Sequence, residues 1–180
     1  DDVAEIVVLT RCPILVERAG ALKQIVGYDS VTKVYAAGAK VPTLGLPEAA
    51  RRLEALFGDF RFATPSDRSR AIAALVTPAL VFGGLLQGRA PAVLVEADNS
   101  QAGKGYFCKV TATVYADVPA TVVQATRGVG SLEESFDSKL IEGRAFISID
   151  NVRGKLGSPK LESFATEPPY AARVPYQPTV

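Results

Sequence analysis

The stretch Asp98-Asn99-Ser100-Gln101-Ala102-Gly103-Lys104-Gly105 carries the residues best suited to chemistry. A loop of the form G-x-x-x-x-G-K-[S/T] turns successive backbone N–H groups toward phosphate at a helix N-terminus. Its lysine meets the β- and γ-oxygens and its hydroxyl meets Mg2+. Gly103 and Lys104 fit that pattern. Asp98 stands where the first glycine falls and sets a carboxylate near an anion, which is unfavourable unless a metal or a lysine lies between them. Gly105 stands where the hydroxyl falls, leaving that metal position to water. By spacing alone the stretch reads equally as a phosphate loop or as a tight turn between a strand and a helix. Further on, "RAFISIDN" is an apolar run ending in Asp150, the form of the acidic strand whose carboxylate holds Mg2+ through water. The other reading of Asp150 is a cap at a strand end. Together the two segments favour a nucleotide site. Asn99, Ser100, Gln101, Ala102, Gly103, Lys104, Gly105 and Tyr106 would surround the phosphates of ATP, and Asp150 would hold the metal.

Several other chemistries are excluded by composition. The chain has no histidine, and its two cysteines, Cys12 and Cys108, are far apart in sequence. Cys/His zinc sites therefore fail on ligand count, and the usual general base of Ser or Cys hydrolases is missing. A disulfide framework is unsupported, so a reducing cytoplasm is the expected setting. The formal net charge is +1, which gives no global electrostatic reason to expect nucleic acid or membrane, although a local basic patch is compatible with it. No apolar run is long enough to span a bilayer, and Asp1-Asp2-Val3 lacks the basic and apolar regions of a signal peptide.

The elements that must position these residues follow from periodicity. At 180 residues, 48% of them apolar, the chain can bury a sizeable core as one domain or as a domain with an appendage. Residues 1–45 predict a small antiparallel β-rich region, with "GYDSVTK" as a hairpin connection. Residues 46–89 predict a helical segment packing on the core. Its first helix has Pro47 and Glu48 in the first turn and Ala49, Leu53, Leu56 and Phe57 on one stripe. Its second is capped by Ser66 and bent or broken by Pro78 near Thr77. From about residue 90 to 180 the rhythm is strand, turn, helix, strand. "PAVLVEAD", "ATVVQAT" and "AFISIDN" read as strands of a parallel sheet buried on both faces. Helices follow at "GKGYFCKVTATVYAD", at "SLEESFDSKLIEG" capped by Ser131 with Glu134, and at "SPKLESFAT" capped by Ser158. The predicted fold class is α/β, a P-loop NTPase-like parallel sheet preceded by a small β-rich region and a helical linker.

An ordered set of segments carries a resemblance. "GYDSVTKVY", "FRFATPSDRSRAIAALVTPAL", "EADNSQAGKGYF", "TRGVGSLEESFDSKLIEGRAFISIDNVRGKLGSPKLESFAT" and "YAARVPY" together resemble the helicase-like P-loop ATPases of phages, prophages and integrative elements, which are often found with primases and are related to the AAA+ class. The likeness runs from about Gly27 onward and is most specific from Ser131 to Thr166. It implies ATP and Mg2+ as cofactors, DNA as a partner in replication of a mobile element, and a homo-oligomer. It makes Lys104 the β/γ-phosphate contact and Asp150 the magnesium ligand. Asn151 falls where the wider class carries a water-activating glutamate. An amide orients water but cannot take its proton, so a non-hydrolysing nucleotide-binding or assembly module with a degenerate loop is the alternative. The sensor and arginine-finger segments of such ATPases would lie beyond Val180. Basic residues near the strand ends, Arg127, Arg144, Arg153, Lys155, Lys160 and Arg173, are candidate DNA contacts. Arg153 and Lys155 are the best of them, because the glycine between them would let a loop beyond Asp150 couple nucleotide to DNA.

Overall fold

The computed structural model describes residues 4–99, 101–116, 118–123, 131–167 and 169–174. The chain divides into two compact units, Asp1–Tyr115 and Ala116–Val180.

The first unit opens with five short strands: β1 (Val8–Thr10), β2 (Ile14–Arg18), β3 (Ala21–Ile25), β4 (Gly27–Asp29) and β5 (Val34–Ala36). β2 and β3 form an antiparallel hairpin that pairs Arg18 with Ala21. β4 and β5 are joined through the expected turn, where the Asp29 carboxylate accepts from the Thr32 amide at 2.9 Å, the Thr32 hydroxyl at 2.6 Å and Arg18 at 2.7 Å. These hydrogen bonds, the Thr32 hydroxyl first, hold the Asp29 carboxyl below the ordinary range. β1 then pairs with β5 in parallel, so this three-stranded sheet is mixed. Alternate residues Ile14, Val16, Val34 and Ala36 are buried as one cluster with Val8, Ile25 and Phe82 against it, as period-2 alternation requires.

Two helices follow, α1 (Leu46–Leu56) and α2 (Pro65–Phe82). The cap of α2 is Thr64, not Ser66. The Thr64 hydroxyl accepts from the Asp67 amide at 3.2 Å and the Asp67 carboxylate accepts from the Thr64 amide at 3.1 Å, a reciprocal box that outcompetes a cap two residues later. Pro78 does not end the helix. Its missing N–H costs one ladder bond, but Ala71, Ala74 and Leu75 one turn earlier are buried against Phe57 and Phe107, and this packing carries the helix through. At its far end Gly83 lies so close to β2 that a Cβ there would sit 1.9 Å from the Leu15 carbonyl oxygen. The last helix of this unit, α3 (Lys104–Thr113), buries Phe107, Thr111 and Ala112. The Thr111 hydroxyl is buried without a hydrogen-bond partner among the described residues. Just beyond it, Tyr115 donates to the Leu75 carbonyl at 2.5 Å, and burial, then the neighbouring Cys12, pushes its phenol up to about 12.

The second unit holds β6 (Ala120–Val123), α4 (Leu132–Ile141), β7 (Ile147–Asp150) and α5 (Pro159–Thr166). The caps Ser131 and Ser158 are those the sequence predicts, accepting from the Glu134 and Leu161 amides at 3.3 Å each. Phe136 and Phe164 meet edge to face at 5.0 Å between α4 and α5.

The P-loop NTPase-like parallel sheet is not what forms. Among the described residues the parallel sheet of the second unit has only two strands, β6 and β7, and the remaining sheets are mixed or antiparallel. "PAVLVEAD" is not a strand at all. Val93 and Leu94 are exposed, and Val95 alone packs on the core beside Phe57 and Phe107. An apolar, β-branched run becomes a strand only when a neighbouring strand satisfies its amides and carbonyls. Among the described residues of the first unit no strand pairs with this run.

Candidate functional site

The loop ahead of α3 is sharply curled. Gln101 (φ 61°) and Gly103 (φ 85°) both adopt left-handed conformations, which glycine takes freely and glutamine takes at a cost of about 1 kcal/mol. That curl delivers the chain into the first turn of α3 at Lys104 with no side chain capping it. The first intrahelical bond runs from the Phe107 amide to the Gly103 carbonyl at 2.9 Å. The amides of Lys104, Gly105 and Tyr106 precede it and point out of the helix N-terminus, where the macrodipole favours negative charge. Lys104 is exposed at the first helical position, and Asn99, Gln101, Ala102, Gly105 and Tyr106 are exposed around it. Ser100 lies outside the described residues.

Aromatic rings stand directly behind this loop. A Cβ on Gly103 would lie 3.7 Å from the Phe60 ring. Phe60 is near-parallel to both Tyr106 and Phe62, with centroids 6.1 Å apart in both cases. An open cleft of about 330 Å3 adjoins, lined by Phe57, Phe60, Phe62, Thr64 and Arg68 among others. Sequence reasoning placed Tyr106 at the site but missed Phe60 and Phe62. The alternation Phe60-Arg61-Phe62 just after the first helix was the available signal.

Asp150 is the last residue of β7, paired with Val123 in parallel register. Its exposed carboxylate accepts from the next amide, Asn151, at 2.8 Å, and Asn151 is itself left-handed at φ 56°. Asp150 therefore does cap a strand end, the second of the two roles its position allowed. Lys104 and Asp150 fall in different compact units. Among the described residues no group of three or more His, Cys, Asp or Glu side chains could hold a metal ion.

The basic residues divide into several kinds. Arg153 and Lys155 are exposed in the loop after β7, whose Gly154 has φ 67°. Arg144 is engaged with Glu142 at 3.1 Å. Arg127 lies outside the described residues. Lys160 is spent on Asp137, which is 1% exposed. Asp137 also accepts from the Tyr170 hydroxyl at 2.6 Å and the Arg173 amide at 3.1 Å. Burial first, then this bond and the Asp137 charge, drives the Tyr170 phenol well above its ordinary range. Lys160 and the Arg173 backbone thus fasten α5 and the segment after it to α4, a structural task that charge counting in the sequence does not distinguish from DNA contact. No helix among the described residues is long and apolar enough to cross a membrane.

No family model matches the chain, and neither a curated protein nor a solved structure matches it. The likeness to helicase-like ATPases stands on its motif residues alone.

Proposed function

We propose that the chain is a nucleotide-binding module whose loop from Asn99 to Tyr106 holds the phosphates of ATP, accompanied by Mg2+, without turning the nucleotide over by itself. The observation that carries this reading is the left-handed Gly103 leading into an uncapped helix start with Lys104 at its first position. Oriented amides, the helix dipole and one ammonium favour a polyphosphate over a monoanion. Against turnover stand Asn151, which cannot accept a proton, and the carboxylate of Asp98 at the head of the loop. A cytoplasmic setting and assembly with further copies or partner subunits belong to the same reading.

Equilibrium titration of ATP, with and without Mg2+, tests it on the wild-type chain and on Lys104→Ala. Micromolar-range binding that needs Mg2+ and weakens at least tenfold in the variant is expected. Equal binding by the two proteins would refute the phosphate role of the loop.

A second reading, an ATP-hydrolysing helicase-like domain acting on DNA of a mobile element, is favoured by one observation. A parallel strand ends in an exposed acid, Asp150, followed by the loop of Arg153 and Lys155. DNA-stimulated phosphate release in the same titration would establish it over the first.

A further inference from the structure

Tyr106 is an aromatic residue of the first unit that lies outside its core. The residue is 65% exposed, yet its ring rests on a neighbouring ring. It lies 6.1 Å from Phe60 with the planes 18° apart, and Phe60 lies 6.1 Å from Phe62 with the planes 21° apart. From the buried side, Phe57 and Phe107 meet Phe60 edge-on at 5.8 and 6.1 Å. A side chain fixed this way has little rotational freedom left to lose when a partner arrives, so its exposed face is preorganised.

That face belongs to the first turn of α3, two residues past Lys104, and Gly103 packs against Phe60. The surroundings carry charge of both signs: Arg61 and Lys104 are exposed and, among the described residues, neither is held in an ion pair, while Asp59 and Asp98 in the adjoining segments carry the opposite sign. Lys104 and the first amides of α3, next to the Tyr106 ring, suit a ligand with a flat, apolar part beside an anionic one, which describes a nucleoside triphosphate. We infer that Tyr106, backed by Phe60 and Phe62, is the stacking platform for the base of the nucleotide. This rests on reading the neighbouring loop as the phosphate site. Stacking uses the π-face that every base has, so ATP and GTP are accepted alike.

The test compares ATP with inorganic tripolyphosphate, which has the anionic part and no base. Both are titrated with Mg2+ into wild type, Tyr106→Ala, Tyr106→Phe and Lys104→Ala, with circular dichroism checking each fold. Tyr106→Ala should weaken ATP on the order of tenfold while leaving tripolyphosphate unchanged. Tyr106→Phe should keep the wild-type ATP affinity, and Lys104→Ala should weaken both ligands. The inference is overturned if Tyr106→Ala binds ATP as wild type does. It is equally overturned if that variant loses both ligands together, which would mean a displaced loop, or if wild type binds tripolyphosphate as tightly as ATP. Should wild type bind neither ligand, the phosphate reading of the loop fails and takes the platform with it.

Discussion

Asp137 ties α5 and the segment after it to α4, and replacing it by asparagine isolates the effect of its charge. The carboxylate is 1% exposed and receives three donors: the Lys160 ammonium, the Arg173 amide at 3.1 Å and the Tyr170 hydroxyl at 2.6 Å. Asparagine keeps the volume but offers one acceptor oxygen and two donors. Its best orientation leaves the oxygen toward Lys160 and Arg173 and requires the Tyr170 hydroxyl to reverse and accept. Bonds to a charged group contribute about 1.5–3 kcal/mol against about 0.5–1.5 for neutral ones. Two bonds therefore weaken by about 1–1.5 kcal/mol each, and the third is rebuilt with poorer geometry. The Lys160 side chain is 31% exposed, so it regains water and the loss stays below the 3–5 kcal/mol typical of a stranded buried charge. The result is about 2–3 kcal/mol, felt locally. Hydrogen exchange is the suitable assay, because the Arg173 amide is itself a bonded donor and α5 is tied down by the same group. Exchange across α5 and at Arg173 should accelerate roughly a hundredfold, while Glu162→Gln on the exposed side of α5 leaves it unchanged. If Asp137→Asn exchanges within about twofold of wild type at those amides, the carboxylate is not the fastening described here.

Two further predictions concern the first unit. Gly83→Ala should cost at least about 2–3 kcal/mol, seen as a lower urea midpoint, because the new methyl would overlap the Leu15 carbonyl and the obstacle is backbone that cannot swing aside. Asp29→Asn should cost about 2 kcal/mol at neutral pH. Because the folded carboxyl is depressed, its contribution is complete above the unfolded value near about 3.9 and fades as pH falls through and below it. The melting curves of wild type and variant should thus converge on acidification, and a constant gap down to the acid limit would contradict the assignment.

What the sequence disclosed depended on the range of the cause. The caps at Ser131 and Ser158 and the turn between β4 and β5 are set within a few residues, and each is where local chemistry puts it. Cap choice at α2 failed by two positions because Thr64 and Ser66 are both good caps and only the reciprocal Asp67 carboxylate separates them. The parallel sheet failed for a different reason. "PAVLVEAD" has the composition of a buried strand, but pairing is non-local, and composition cannot say whether a partner edge is free. The turn at Gly103 and the helix start at Lys104 were legible because a left-handed turn before a helix has a residue signature. The ring cluster was not, since Phe60 meets Tyr106 only through the folding back of α1, α2 and α3. Asp137 and Lys160 looked like ordinary surface charge for the same reason.

α2 spans 18 residues, which makes it a rod about 27 Å long. One half is embedded with Phe57 and Phe107, beneath the rings that flank the candidate site, and the other ends where Gly83 abuts β2 and Phe82 enters the β-rich cluster. Between the embedded half and the far tip lies Pro78, where the rod is one ladder bond short. A shift of the ring cluster on ligand arrival would therefore be taken up by those rings, by bending at Pro78, or by the hairpin of β2 and β3 at the far end.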